Sequence, residues 1–105
     1  MSYSLFLDDI RNPKTKRNWK IARSFEEAKF IIYDHGIPDY ISFDHDLGEG
    51  TAKTGYDFAK WLIEYDYQHN IFEKPIEFNV HSANPIGRIN IERILENYFE
   101  YKFNE

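Results

Sequence analysis

Short apolar runs alternate with amphipathic stretches along this chain, and this alternation is typical of an α/β domain. The runs that predict strands are Tyr3–Leu7, Trp19–Arg23, Tyr40–Phe43 and Ile76–Val80. Apolar residues recur at helical spacing over 24–34, over 54–65 and from Pro85 onward. Strands separated by helices pair in parallel through right-handed crossovers, so the order β, β, α, β, α, β, α predicts a mainly parallel sheet.

Capping residues mark the ends of the predicted helices. Ser24 and Glu27 have the S-x-x-E spacing of a capping box, and Gly36 fits the C-terminal stop of the same helix. Asn84 suits an N-cap, with Pro85 at the first helical position. The apolar stripes that should face the core are Phe25, Ala28, Ile31 and Ile32; Phe58, Ala59, Leu62 and Tyr65; and Ile91, Ile94, Leu95 and Tyr98.

Composition narrows the class of protein. With 105 residues, of which 42% are hydrophobic, residues 1–105 predict a single domain with a modest core. The absence of cysteine excludes a disulfide framework, a thiolate zinc site and cysteine catalysis. No apolar stretch approaches the roughly 20 residues of a membrane span, and no signal-peptide pattern opens the chain. We therefore expect a cytoplasmic protein without membrane contact; no protein partner is evident, and the oligomeric state stays open.

Charge is distributed unevenly. The net charge is -5, yet the segment from Ile10 to Phe25 contains no acid. Six of the 13 basic residues lie there: Arg11, Lys14, Lys16, Arg17, Lys20 and Arg23. Such a segment could concentrate a phosphate-bearing ligand, either a small molecule or an RNA end, or it could be a solvated loop.

Acids and histidines follow three of the predicted strands. Asp8 and Asp9 close the first, Asp44-His45-Asp46 closes the third, and His81 closes the fourth. Ligands of open α/β sheets bind beyond the carboxyl ends of the strands, so these residues predict a site. Hard oxygen ligands favour Mg²⁺, Mn²⁺ or Ca²⁺, which predicts a metal on Asp8, Asp9 and Asp44. The competing interpretation is that each Asp is a turn former or cap.

The histidines predict proton-transfer chemistry. Histidine titrates near neutral pH, so His45 and His81 could serve as general base and general acid, with Asp44 and Asp46 beside them. Four further residues are candidates for binding substrate phosphate: Arg11, Ser82, Asn84 and Arg88. The two arginines are bidentate clamps, and the amides that open the last helix could cradle an anion.

Three blocks resemble known sequences. An acidic pair, a later Asp and a hydroxyl residue resemble the receiver domains of two-component signalling, although a fifth strand with its lysine and the usual first helix are missing. The blocks in question are Leu7-Asp8-Asp9-Ile10-Arg11-Asn12-Pro13, then Phe43-Asp44-His45-Asp46-Leu47-Gly48 with Gly55, and His81-Ser82-Ala83-Asn84-Pro85-Ile86-Gly87. With these blocks the chain more closely resembles the cyclic-phosphate-processing receiver-like family of bacteria and their viruses.

The resemblance implies a fold and an activity. The fold would be a small three-layer α/β sandwich with a receiver-like, flavodoxin-like sheet of about four strands and three main helices. The activity would be hydrolysis or processing of cyclic phosphate linkages in nucleotides or RNA ends, with Mg²⁺ or Mn²⁺ bound by the acids, or with the acids orienting the histidines. The alternatives are a non-catalytic signalling or nucleotide-sensing module and, less well supported by the acid and histidine pattern, an interaction protein.

Overall fold

Four short strands and three helices build the fold. The structure is a computed structural model and describes residues 2–48 and 53–104. The strands are β1 (Ser4–Leu7), β2 (Trp19–Ala22), β3 (Tyr40–Phe43) and β4 (Glu77–Val80); the helices are α1 (Phe25–His35), α2 (Gly55–His69) and α3 (Pro85–Phe103). The predicted element order is confirmed, and each strand ends within one residue of its predicted bounds.

The sheet is parallel throughout, with strand order β2-β1-β3-β4. Leu7 pairs with Ala22 and with Phe43, and Phe43 pairs with Val80, so all four strands end level at one edge. Backbone bonds continue the ladder one residue further, because the N–H of His81 donates to the carbonyl of Phe43 over 2.8 Å. The sheet therefore delivers the residues that follow β1, β3 and β4 to a common edge.

One face of the sheet forms the core with the helices. The strand residues Leu5, Leu7, Ile41 and Phe43 are fully buried there. Each helix contributes its predicted stripe, since Phe25, Ala28 and Ile32, then Phe58, Ala59 and Leu62, and then Ile91, Leu95 and Phe99 are buried. Full burial of such a side chain is worth about 1.5–3 kcal/mol, so this layer holds the fold together.

The opposite face of the sheet is built differently. Strand side chains alternate between faces, so Phe6 and Ser42 point away from the helical layer. Phe6 is buried, yet it lies outside the main hydrophobic cluster. Among the described residues, the cover on this side comes from the irregular segment 11–17 between β1 and β2 rather than from a helix. The predicted α/β class, four-stranded parallel sheet and three helices are confirmed, and the third layer is this irregular segment.

Helix α2 extends four residues beyond its predicted end at Tyr65. The buried carboxylate of Asp66 explains the extension, because it accepts the backbone N–H groups of Ile71 and Phe72 and so organises the turn after the helix. Lys102 and Tyr98 of α3 donate to the same carboxylate. None of the described helices is long and apolar enough to cross a membrane.

Candidate active site

Three side chains from three strand ends converge at the carboxyl edge of the sheet. Asp8 follows β1, Asp44 follows β3 and His81 follows β4; ligand atoms from the three all lie within 4.8 Å of one another. Asp8 is 0% exposed and Asp44 is 4% exposed, which is rare for carboxylates without partners. The predicted convergence of these residues is present in the structure, with His81 rather than Asp9 as the third member.

Asp8 is the centre of this cluster. Its Oδ1 accepts the backbone N–H groups of Ile10 (3.0 Å) and Arg11 (2.8 Å), while its Oδ2 accepts Arg11 Nε (2.9 Å) and lies 2.9 Å from His81 Nε2. Burial raises the pKa of Asp8, but the backbone donors, the His81 hydrogen bond and the Arg11 charge outweigh it and hold the pKa below its usual value. Asp8 is therefore a permanent anion at neutral pH.

Arg11 lies between the two buried carboxylates. Its Nε bonds Asp8, and its terminal nitrogen is 3.4 Å from Asp44 Oδ2. Burial lowers the pKa of Arg11, but the negative charges of Asp8 and Asp44 have a larger effect in the opposite direction, so the pKa of Arg11 is raised overall. Four donors already engage Asp8 and a guanidinium bridges the acids, so a divalent cation held by Asp8, Asp44 and His81 would compete with Arg11 for the same oxygens.

His81 is held on three sides. Its Nδ1 is 2.7 Å from Ser42 Oγ, its Nε2 bonds Asp8, and its ring stacks on Phe6 with centroids 4.7 Å apart and planes 4° apart. When Nε2 donates to Asp8, Nδ1 accepts the Ser42 hydroxyl. The result is a Ser42–His81–Asp8 chain with the order of groups found in nucleophilic triads.

Ser42 belongs to this hydrogen-bonded chain, and the sequence did not predict it there. In the sequence it stands between the apolar Ile41 and Phe43, which is the ordinary pattern of a strand with one polar face. The signal that could have found it is its position two residues before Asp44, on the face where the fourth strand was predicted to end in His81. Only the register of β3 against β4 brings the two side chains together.

His45 lies apart from His81. Its Nδ1 is 2.9 Å from Asp46 Oδ1, and its ring packs on Gly87 of α3, where an added Cβ would lie 2.4 Å from the ring Cγ. Its carbonyl accepts the N–H of Gly55 at the start of α2. Among the described contacts, none joins the two imidazoles, so the structure does not present them as an adjacent acid and base.

The remaining predicted residues lie on the loops that follow the strands and in the first turn of α3. Ser82 is buried, and its Oγ accepts the N–H of Asn84; the Asn84 side chain in turn caps α3 by accepting the N–H of Gly87. Arg88 is exposed in the first turn of α3. Asp9, Asp44, Asp46 and Ser82 line a shallow cavity of about 350 Å³ together with Arg11. We call this the acidic cavity.

A larger cavity opens on the other side of Arg11. It has a volume of about 800 Å³ and lies between the helix-free sheet face and segment 11–17; its lining includes Phe6, Trp19, Tyr40, Ser42, Asn79 and His81. We call it the sheet-face cleft. Because Arg11 lines both cavities and His81 lines the cleft, a phosphate at Arg11 would be in reach of the Ser42–His81–Asp8 chain.

A family model described as the cyclic-phosphate processing receiver domain matches residues 3–97. The chain belongs to this family. The three sequence blocks that carried the resemblance follow β1, β3 and β4 and lie at the carboxyl edge of the sheet.

Comparison with solved structures supports the fold alone. One similar structure is described as a trimeric coiled-coil segment of yeast Spc42, amino acids 181–211, fused to another structure. It has a TM-score of 0.55 and 22% identity over 87% of this chain, and the chain spans 62% of the length of that one. No curated protein matches the sequence.

Proposed function

We propose that this cyclic-phosphate processing receiver domain hydrolyses a cyclic phosphodiester on a nucleotide or an RNA end. The observation that carries the proposal is the Ser42–His81–Asp8 chain, which lies beside a half-exposed arginine and opens into a cleft of about 800 Å³. A concave site with a few convergent polar groups is where substrate binding is expected.

The proton path follows from the hydrogen bonds. Water attacks phosphorus, and its proton passes through the Ser42 hydroxyl to Nδ1 of His81. The P–O bond to the sugar then breaks, and the same imidazolium returns the proton to the leaving alkoxide. Asp8 stabilises the imidazolium from Nε2, as the acid of a triad does. Proton transfer by a positioned histidine contributes about 10²–10⁴-fold in rate.

Arg11 supplies the positive charge at phosphorus. A guanidinium matches two phosphate oxygens in one plane, and its second edge stays bonded to Asp8. In this proposal Arg11 occupies the place expected for a divalent ion, and the acids orient Arg11 and His81. The proposal thus gives the Arg11 guanidinium the charge-neutralising role that was predicted for Mg²⁺ or Mn²⁺.

His45 has two candidate roles, one as a second acid or base and one as a positioning residue. Its contacts with Asp46 and Gly87 support a positioning role, in which His45 holds the loop after β3 against the start of α3. The two roles differ in outcome: an acid–base group should control the pH profile of turnover, whereas a positioning residue should lower the rate without reshaping that profile.

Turnover of nucleoside 2′,3′-cyclic phosphates tests the proposal. We expect hydrolysis by the wild type in the presence of chelator, and a loss of about 100-fold or more in His81→Ala. Ser42→Ala should retain some activity with a displaced pH profile. His69→Ala, which removes an exposed histidine at the end of α2, is the matched control. Turnover that survives in folded His81→Ala would disprove the assignment.

A binding-only function is the second candidate. It is favoured by one observation, namely that both ring nitrogens of His81 already have protein partners. A sensing or sequestering module would bind the cyclic phosphate and raise its own melting temperature without forming product. Wild-type binding with no product in any metal or chelator condition would select this alternative.

A further inference from the structure

The sheet-face cleft exists because a helix is missing. Strands β1 and β2 are adjacent and parallel, and such pairs are usually joined by a helix that covers one face of the sheet. Here residues 8–18 contain no helix, so the side chains of Phe6, Tyr40, Ser42 and Asn79 on that face line a cavity. The cavity on this face has a volume in the range of ligand-binding sites.

The electrostatic character of the cleft is opposite to that of the whole chain. Four basic side chains line it, namely Arg11, Lys14, Lys16 and Arg17, and no acid does so among the described residues. Lys14, Lys16 and Arg17 are exposed, and none forms an ion pair with the described part of the chain. In a chain of net charge -5 this concentration of cations selects an anionic ligand with several charges.

The cleft also offers flat surfaces. The Arg17 guanidinium lies 4.1 Å from the Tyr40 ring centroid and 5.9 Å from that of Trp19, which in turn packs edge-on against Phe6 at 5.5 Å. Unpaired bases of single-stranded RNA stack on aromatic rings and on guanidinium planes. Cations interleaved with rings are the usual means of holding a single strand.

The dimensions argue for more than one nucleotide. His81 lies level with Asp44, and Tyr40 is four residues earlier on β3, which at about 3.3 Å per residue places it about 13 Å away along the sheet. That distance exceeds the reach from a cyclic phosphate to the base of its own nucleoside. A mononucleotide cyclic phosphate also carries a single charge, which leaves three of the four cations unused.

We propose that the sheet-face cleft binds the single-stranded RNA whose terminal cyclic phosphate is processed at Arg11 and His81. The inference rests on the proposed function for the identity of the strand's end, but the cleft itself is tested by binding alone. Neutralising three backbone phosphates with Lys14, Lys16 and Arg17 gives a slope of log affinity against log salt of about -2. A fourfold rise in salt then weakens binding roughly 16-fold.

The experiment measures fluorescence anisotropy of a labelled oligouridylate ending in a 3′-phosphate, which cannot turn over. The wild type is compared with Lys14→Ala/Lys16→Ala/Arg17→Ala and with the charge-matched control Lys60→Ala/Lys74→Ala/Arg93→Ala, whose three sites are exposed outside the cleft. We expect the cleft variant to bind weakly with a slope that is shallower by about 2, and the control to match the wild type. In parallel, kcat/KM is measured for an oligouridylate ending in a 2′,3′-cyclic phosphate and for uridine 2′,3′-cyclic phosphate.

The outcomes separate the two proposals. Salt-dependent oligonucleotide binding that the cleft variant loses supports the inference, even if no substrate turns over and the hydrolase proposal fails. A preference of kcat/KM for the oligonucleotide, reduced in the cleft variant, supports both. Equal binding by the cleft variant and the wild type would overturn the inference, as would equal affinity for the oligonucleotide and for uridine 3′-phosphate.

Discussion

Replacing Arg11 with alanine should destabilise the fold and create a cation site. The change removes the guanidinium between Asp8 and Asp44, whose side chains are 0% and 6% exposed. Removing one partner of a fully buried ion pair costs about 3–5 kcal/mol. The Arg11 side chain is 49% exposed and Asp8 keeps its backbone donors, so solvent screening reduces the cost to about 2 kcal/mol.

A melting experiment can detect that change. For a domain of about 100 residues each kcal/mol shifts the melting temperature by roughly 4–8 °C, so Arg11→Ala should melt on the order of 10 °C lower. With the guanidinium gone, Asp8, Asp44 and His81 can bind a divalent ion. Mn²⁺ or Mg²⁺ at about 100 times its Kd would restore about 2.7 kcal/mol. Thermal unfolding after chelation, with and without added MnCl₂, measures both effects.

The wild type provides the decisive comparison. If Arg11 is the internal cation, MnCl₂ should raise the melting temperature of Arg11→Ala and leave the wild type unchanged. Arg88→Ala, which removes an exposed arginine from α3, controls for net charge. Stabilisation of the wild type by Mn²⁺ equal to that of the variant would show that a metal, not Arg11, balances the acids.

Three further predictions concern other parts of the fold. Burial raises the pKa of Asp66, but the larger opposing effect of Lys102, Tyr98 and the N–H of Phe72 leaves that pKa below its usual value. The stability that the Asp66 carboxylate contributes is therefore fully present above the unfolded pKa of about 3.9, and it is lost as the pH falls through the lower folded pKa. Asp66→Asn should therefore destabilise the protein at neutral pH and flatten its acid unfolding curve, as measured by urea titration across pH; an unchanged curve would refute the argument. Gly87→Ala should push the His45 ring aside and lower turnover without unfolding the domain, a result that circular dichroism and kinetics check together. Phe6→Leu should loosen the support under His81 and reduce kcat more than KM changes, because the 4.7 Å ring stack is lost; unaltered kinetics would remove Phe6 from the site.

Much of the fold could be predicted because its signals are local. The apolar period of 2 or 3.6 residues, the N-caps at Ser24 and Asn84 and the stop at Gly36 are properties of a few neighbouring residues. The convergence of Asp8, Asp44 and His81 could also be predicted, because parallel strands that follow one another through crossovers end at the same edge. The extension of α2 could not, since Asp66 acts through partners as distant as Lys102 in the sequence.

The partnerships within the site were decided by the tertiary structure. The sequence predicted that His45 and His81 face one substrate, and that Asp8, Asp9 and Asp44 either bind a metal or orient the histidines. In the folded chain Arg11 bridges the acids and His45 packs against Gly87, because the chain turns back after β1 and α3 begins beside the loop after β3. Such contacts depend on where each turn directs a side chain, which no periodicity encodes.

By itself the sequence determined the class of fold, the edge of the sheet that carries the chemistry and the family to which the chain belongs. Only the tertiary structure decided that Ser42 joins His81, and that the face lacking a helix becomes a cleft lined by cations and rings. The physical reason is that strand pairing register and uncovered faces are set by packing of the whole domain, whereas hydrophobic period and capping are set by the residues at hand.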